Sequence, residues 1–177
     1  MANVKFSVQD LKNRVMQAVD QFLIEKPSLI ELHVHEQAIS HRVASYLENL
    51  FCKGDGLKAD CEYDRHTQFD KVFDFDPNEY EKEEYDEYKR CDCKGCEKIQ
   101  RKERIPEKLF RPDVVMHSRG NDYCNLIAME IKKDKLCLFD TVKLKAMTKL
   151  RNNDGQYEYQ LGVFLYFPKG KPEYIWF

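Results

Sequence analysis

The chain has no hydrophobic run long enough to cross a membrane, and its opening residues, MANVKFSVQD, lack the apolar stretch of a secretory signal. It also lacks a disulfide framework: the seven cysteines are odd in number and irregularly spaced. Without a signal they read as reduced thiols or metal ligands. These absences make the cytoplasm the expected compartment and leave no membrane partner. No repeat and no linker divides the 177 residues, of which 42% are hydrophobic, so one domain with a real core is expected.

Net charge is also nearly missing, at −2, but its distribution is uneven. Asp70 to Glu87 holds nine acids against Lys71 and Lys82, which leaves the rest of the chain mildly basic. Lys132 to Arg151 holds seven basic residues against Asp134 and Asp140. A basic body with an acidic appendage can hold a polyanion, because local potential outweighs the total. A solvated helix face explains the same run equally well.

Periodicity supplies the elements. Val8, Leu11, Val15, Val19, Phe22 and Leu23 recur at helical spacing over residues 7–25, and Pro27 ends that helix. Ser28 with Glu31 reads as a capping box opening a second helix through about Phe51, with Leu32, Ile39, Val43, Leu47 and Leu50 on its apolar stripe. Glu36 falls within that stripe, where a carboxylate needs a partner. "KGDG" at 53–56 is a turn, and "LKADCEYDRH" alternates as a strand. Residues 70–108, charged and tyrosine-rich around "CDCKGC", read as an insertion outside the sheet. Phe110–Ser118 and "CNLIAMEIKK" are strands joined by the turn "SRGNDY"; "DTVKLKAMTKLR" is helical, "NNDG" a turn, and "YQLGVFLYF" and "PEYIWF" closing strands. Trp176 and Phe177 would cap the core. The order predicts an α/β fold, a mixed β-sheet flanked by helices.

One constellation carries chemistry. In a strand, Glu130 and Lys132 share a face while Ile131 points to the other layer. Counting outward from the turn sets Asp113 opposite residues 128–129, and a register shift of one or two brings it beside Glu130. Two carboxylates and a lysine at one sheet end suit a hard cation such as Mg²⁺ or Mn²⁺ acting on a phosphate ester. The triplet alone has little weight, since Glu87-Tyr88-Lys89 repeats it within a charge run. The copy at 130–132 differs because it follows "LIAM" and has Pro112-Asp113 on the strand before.

With these pieces in place, "RPDVVMH" followed by "NLIAMEIKK" resembles the motif of the PD-(D/E)XK nuclease superfamily. "HEQAISHRVASYLENLF" is similar to the helix preceding the core strands of that superfamily, which often carries a glutamate, here Glu36. "DCEYDR" looks like its first core strand, and "DTVKLKAMTK" with "YQLGVFLYF" like the closing helix and strand. The likeness, to small stand-alone bacterial or phage members, covers residues 28–69 and 109–177. It leaves the N-terminal helix (1–27) and the 70–108 insertion outside. The resemblance implies a restriction-endonuclease-like core and metal ligation by Asp113, Glu130 and the Ile131 carbonyl. It also implies water positioning by Lys132, with Glu36 as an auxiliary acid and Glu62 a weaker candidate. Its substrate would be nucleic acid, DNA ahead of RNA, with a homodimer or a defence or repair protein as further partner. The superfamily also contains members without catalysis, so a binding module for nucleic acid or protein is the alternative.

Cys91, Cys93 and Cys96 form C-x-C-x₂-C, which could bring three thiolates onto a structural Zn²⁺ with Gly95 supplying the turn. The fourth ligand would be Cys52, Cys61 or a histidine; thiols in a loop are the alternative. His33, His35 and His41 read as surface or supporting residues. Tyr80, Tyr85 and Tyr88 could stack bases or anchor the insertion.

Overall fold

The computed structural model describes residues 6–32, 34–51, 56–61, 65–66, 69–70, 93–101, 111–119, 121–148 and 159–177. Two helical layers enclose a mixed five-stranded sheet. Helix α1 (Val8–Glu25) opens on a capping box in which Ser7 and Asp10 satisfy each other's backbone donors. It buries Leu11, Val15, Ala18, Val19 and Phe22, while Val8 is exposed.

The second predicted helix is divided. A single turn, α2 (Ser28–Glu31), is followed by a break, and α3 runs from Glu36 to Asn49. Ser28 is not the cap; Pro27 precedes α2 with no side-chain hydrogen bond. His35 instead takes an extended conformation, and its ring nitrogen accepts the Gln37 N–H at 3.3 Å. That cap restarts the helix and rotates Leu32 out of the stripe, leaving it 73% exposed. Glu36 therefore opens α3 rather than lying within a buried stripe.

Strand β1 (Leu57–Cys61) is followed by a two-residue pair, β2 (Arg65–His66) and β3 (Phe69–Asp70). Then come α4 (Lys94–Gln100), β4 (Val114–Ser118), β5 (Asn121–Lys132), α5 (Leu138–Thr148), β6 (Leu161–Tyr166) and β7 (Glu173–Trp176). The sheet order is β1-β4-β5-β6-β7, parallel only between β5 and β6. Helices α1 and α3 cover one face, packing on Val114, Met116, Ile127, Met129 and Val163. Helices α4 and α5 cover the other, over Val115, Ala128 and Phe164.

Of the segment 70–108, read as an insertion outside the sheet, the described residues are Asp70 and 93–101. Helix α4 lies inside that segment, and its Cys96 and Ile99 belong to the second core. Trp176 and Phe177 pack against the two cores from the C-terminal edge. Phe177 also exchanges two backbone hydrogen bonds with Gly162. The turns at 53–55 and 152–155 lie outside the described residues.

Candidate functional site

The β4–β5 hairpin sets the first two carboxylates. Its connection is shorter than the expected 118–123 turn, since β5 begins at Asn121. Register shifts on either side of His117 then move the pairing until Val114 opposes Met129. Asp113, one residue earlier, reaches across, and its Oδ2 accepts the Ile131 N–H at 2.7 Å. Glu130 is buried on the α4/α5 side, next in alternation to Ala128.

Helix α5 closes the cluster. Asp140 and Lys143, three apart in its first turns, face the end of β5. Lys143 Nζ lies 2.7 Å from Glu130 Oε1 and 3.2 Å from Asp140 Oδ1, and donates to the Arg111 carbonyl at 2.9 Å. Lys132 Nζ sits 3.3 Å from Asp140 Oδ2 and 3.7 Å from Glu36 Oε2. Glu36, arriving from the opposite layer, accepts the Lys133 N–H at 3.2 Å.

Ionisation follows this packing. Burial pushes Glu130 well above the usual carboxylate range, with Lys143 opposing and Asp113 adding. Burial also raises Asp113, against the pull of Lys132 and the Ile131 N–H. For Asp140 burial again acts upward, yet Lys143 and Lys132 outweigh it and hold the carboxyl below its ordinary value. Burial pulls both lysines down, but for Lys132 the surrounding acids Asp140, Asp113, Glu130 and Glu36 prevail and keep the ammonium charged. Glu130 and Asp140 do the same for Lys143.

Asp113, Glu130, Lys132 and Glu36, chosen from the sequence, meet at one end of β5. Asp140 and Lys143 were missed there, although the pattern held a clue. They are charged residues at helical spacing between Leu138, Phe139, Val142 and Leu144, so a helix buried on most sides must carry them inward. Glu62, His33 and Tyr80, Tyr85 and Tyr88 lie outside the described residues, as does Glu87. His35 is occupied as the α3 cap, and His41 is exposed.

A second cluster lies next to the first. The sulfurs of Cys93, Cys96 and Cys137 all fall within 4.8 Å of one another and could hold a metal ion such as zinc. The trio differs from the one expected: Cys137, just before α5, joins Cys93 and Cys96, while Cys91 lies outside the described residues. Of the fourth-ligand candidates, Cys52 also lies outside them, and Cys61 packs against the other core. Hydrogen bonding with Cys93 and Cys96, then burial, drives the Cys137 thiol far above its ordinary pKa, and nearby Asp140 adds to this. On Cys96, Cys137 is the largest influence and pulls downward, but Cys93 and burial together overcome it and raise the thiol.

No family model, curated protein or solved structure matches this chain. Among the described residues, no helix is long and apolar enough to cross a membrane.

Proposed function

We propose that this chain is a metal-dependent nuclease that hydrolyses phosphodiester bonds, with DNA the preferred substrate. The observation that carries the reading is the fully buried Glu130 carboxyl held beside Asp113 at the end of β5, with Lys132, Asp140 and Lys143 around it. Charge is seldom buried at such a cost without a task. Oxygen donors of this kind fit a hard divalent ion: Asp113, Glu130 and the Ile131 carbonyl would hold Mg²⁺ or Mn²⁺. When bound, such an ion supplies Lewis-acid stabilisation of phosphate charge and activation of water. Lys132, kept protonated by the acids around it, serves as a donor that orients water and offsets charge on the phosphate, not as a base. Glu36 fixes Lys132 and the Lys133 N–H, and so positions the strand end.

A second reading, a binding module of the same fold without catalysis, draws on a specific contact. Lys143 Nζ at 2.7 Å from Glu130 already gives the carboxylate a cation. Incubating the protein with plasmid, single-stranded DNA and RNA, each with Mg²⁺, Mn²⁺ or EDTA, separates the two. Cleavage that EDTA abolishes and Glu130→Ala removes supports the nuclease. Retention of nucleic acid without cleavage in any metal supports the module.

A further inference from the structure

Cys93 caps α4 and Cys96 lies in its first turn, while Cys137 immediately precedes α5, and the three meet at the second core. Cys93 Sγ and Cys96 Sγ lie 3.6 and 3.7 Å from Cys137 Sγ. A disulfide would need about 2.05 Å. A tetrahedral zinc ion, with Zn–S near 2.3 Å, sets its sulfurs ~3.8 Å apart. Two of the three spacings are therefore close to those of a zinc–thiolate site.

Backbone donors point the same way. The Cys96 N–H approaches Cys93 Sγ at 3.4 Å, and the Phe139 N–H approaches Cys96 Sγ at 3.3 Å. Such N–H groups stabilise negative sulfur. Gly95 permits the approach, because a Cβ there would stand 2.3–2.8 Å from the Phe139 ring. The local sequence is thus cut to bring α4 down onto the start of α5.

We infer that Cys93, Cys96 and Cys137 bind a zinc ion as thiolates, and that this ion clasps α4 to α5 and so fixes Asp140 and Lys143 in the carboxylate cluster. Each sulfur releases its proton to solvent as it bonds the ion. The fourth position of the tetrahedron goes to a donor beyond this trio. Cys137 links the two clusters: it is three residues from Asp140 and six from Lys143. The metal site stands on its own geometry; only its effect on cleavage rests on the nuclease reading.

The test starts with full-length protein stripped of metal under reducing conditions, reloaded with Zn²⁺ and dialysed. Elemental analysis should give about one zinc per chain, and Co²⁺ in its place should show sulfur-to-cobalt charge transfer. Cys93→Ser and Cys137→Ser should each weaken retention roughly tenfold or more, while Cys124→Ser, outside the cluster, should not. Zinc should slow amide exchange in 94–100 and 138–144 above other segments, a readout that does not depend on any variant folding. Absence of bound zinc, retention unchanged by Cys137→Ser, or a Cys93–Cys137 disulfide in the isolated protein overturns the site. Zinc binding with protection of α5 but no cleavage keeps the site and removes the nuclease. Metal-dependent cleavage by a protein that binds no zinc does the reverse.

Discussion

Lys143 decides how Glu130 behaves. Without its ammonium the buried carboxylate keeps the desolvation penalty and loses its nearest counter-charge, so Lys143→Met should destabilise the fold by about 3–5 kcal/mol near neutral pH. The sign of the pH effect follows from the raised Glu130 pKa. The folded state holds that proton where the unfolded state has lost it, so stability falls as pH rises above 4.5, the ordinary value, towards the folded one. Lys143→Met should therefore look worst in alkaline urea titrations and recover towards pH 4.5. An equal loss at both pH values would mean that the lysine acts by packing alone. Lys132 should respond differently, because it contacts the cluster from its exposed side. Under the nuclease reading, Lys132→Ala keeps Mn²⁺ binding and loses ~10²–10⁴-fold in cleavage, whereas Asp113→Ala and Glu130→Ala lose both. Lys133→Ala preserves the backbone N–H that Glu36 accepts and should cleave like the parent. Mn²⁺ titration alongside single-turnover cleavage checks the set, and a fully active Lys132→Ala would reduce the triplet to a strand end.

Between elements, the contacts are specific enough to break one at a time. Gly95→Ala sets a methyl against the Phe139 ring. The overpacking, about 1–3 kcal/mol, should exceed the ~1 kcal/mol helix gain of alanine. Phe139→Leu should rescue it in a double-mutant cycle of thermal melts, and additive losses would place the strain elsewhere. At the β1 edge of the sheet, Asp60 meets His117 Nε2 on β4 at 2.9 Å and accepts from Arg119. Arg119 is the main cause of its lowered pKa, which burial resists and His117 reinforces. A depressed carboxylate contributes stability above its unfolded value and loses it as pH falls through the folded one. Asp60→Asn should thus cost about 1–3 kcal/mol at pH 7, with the gap to the parent closing below pH 3.8. A constant gap down to pH 2 would rule out the ion pair as its source. Elements were the most legible level of the sequence where period and burial agree, as in α1 or "NLIAMEIKK". They were least legible where a local competitor won, as when His35 capped α3 and split the predicted helix. Cys137 escaped notice because nothing in "KKDKLCLFD" signals a partner 41 residues upstream; only the packing of α4 on α5 pairs them.

At the scale of the molecule, the basic stretch is not all surface, as charge counting alone would have it. Two lysines of the basic run, Lys132 and Lys143, turn inward to the carboxylates, so less of it is left to face a polyanion. Within the 70–108 segment, α4 contributes to the core. Excising it would strip Cys96 and Ile99 from the second core, and Ile99→Ala alone should cost about 2–5 kcal/mol, measurable by urea unfolding. A melt unchanged by that substitution would restore the view of the segment as an appendage. The sheet itself is made of two antiparallel parts, β1-β4-β5 and β6-β7, joined by one parallel seam. The β4–β5 and β6–β7 pairs close over short connections, whereas the seam waits for the crossover that contains α5. Glu130 lies on one side of that seam, and Asp140 and Lys143 lie in the crossover itself. Connection length alone then sets an expected order within the site: the hairpin joins Asp113 to Glu130 over a few residues, and Asp140 and Lys143 reach them only as the longer crossover docks on β5, so the buried carboxylates should precede their Lys143 counter-charge.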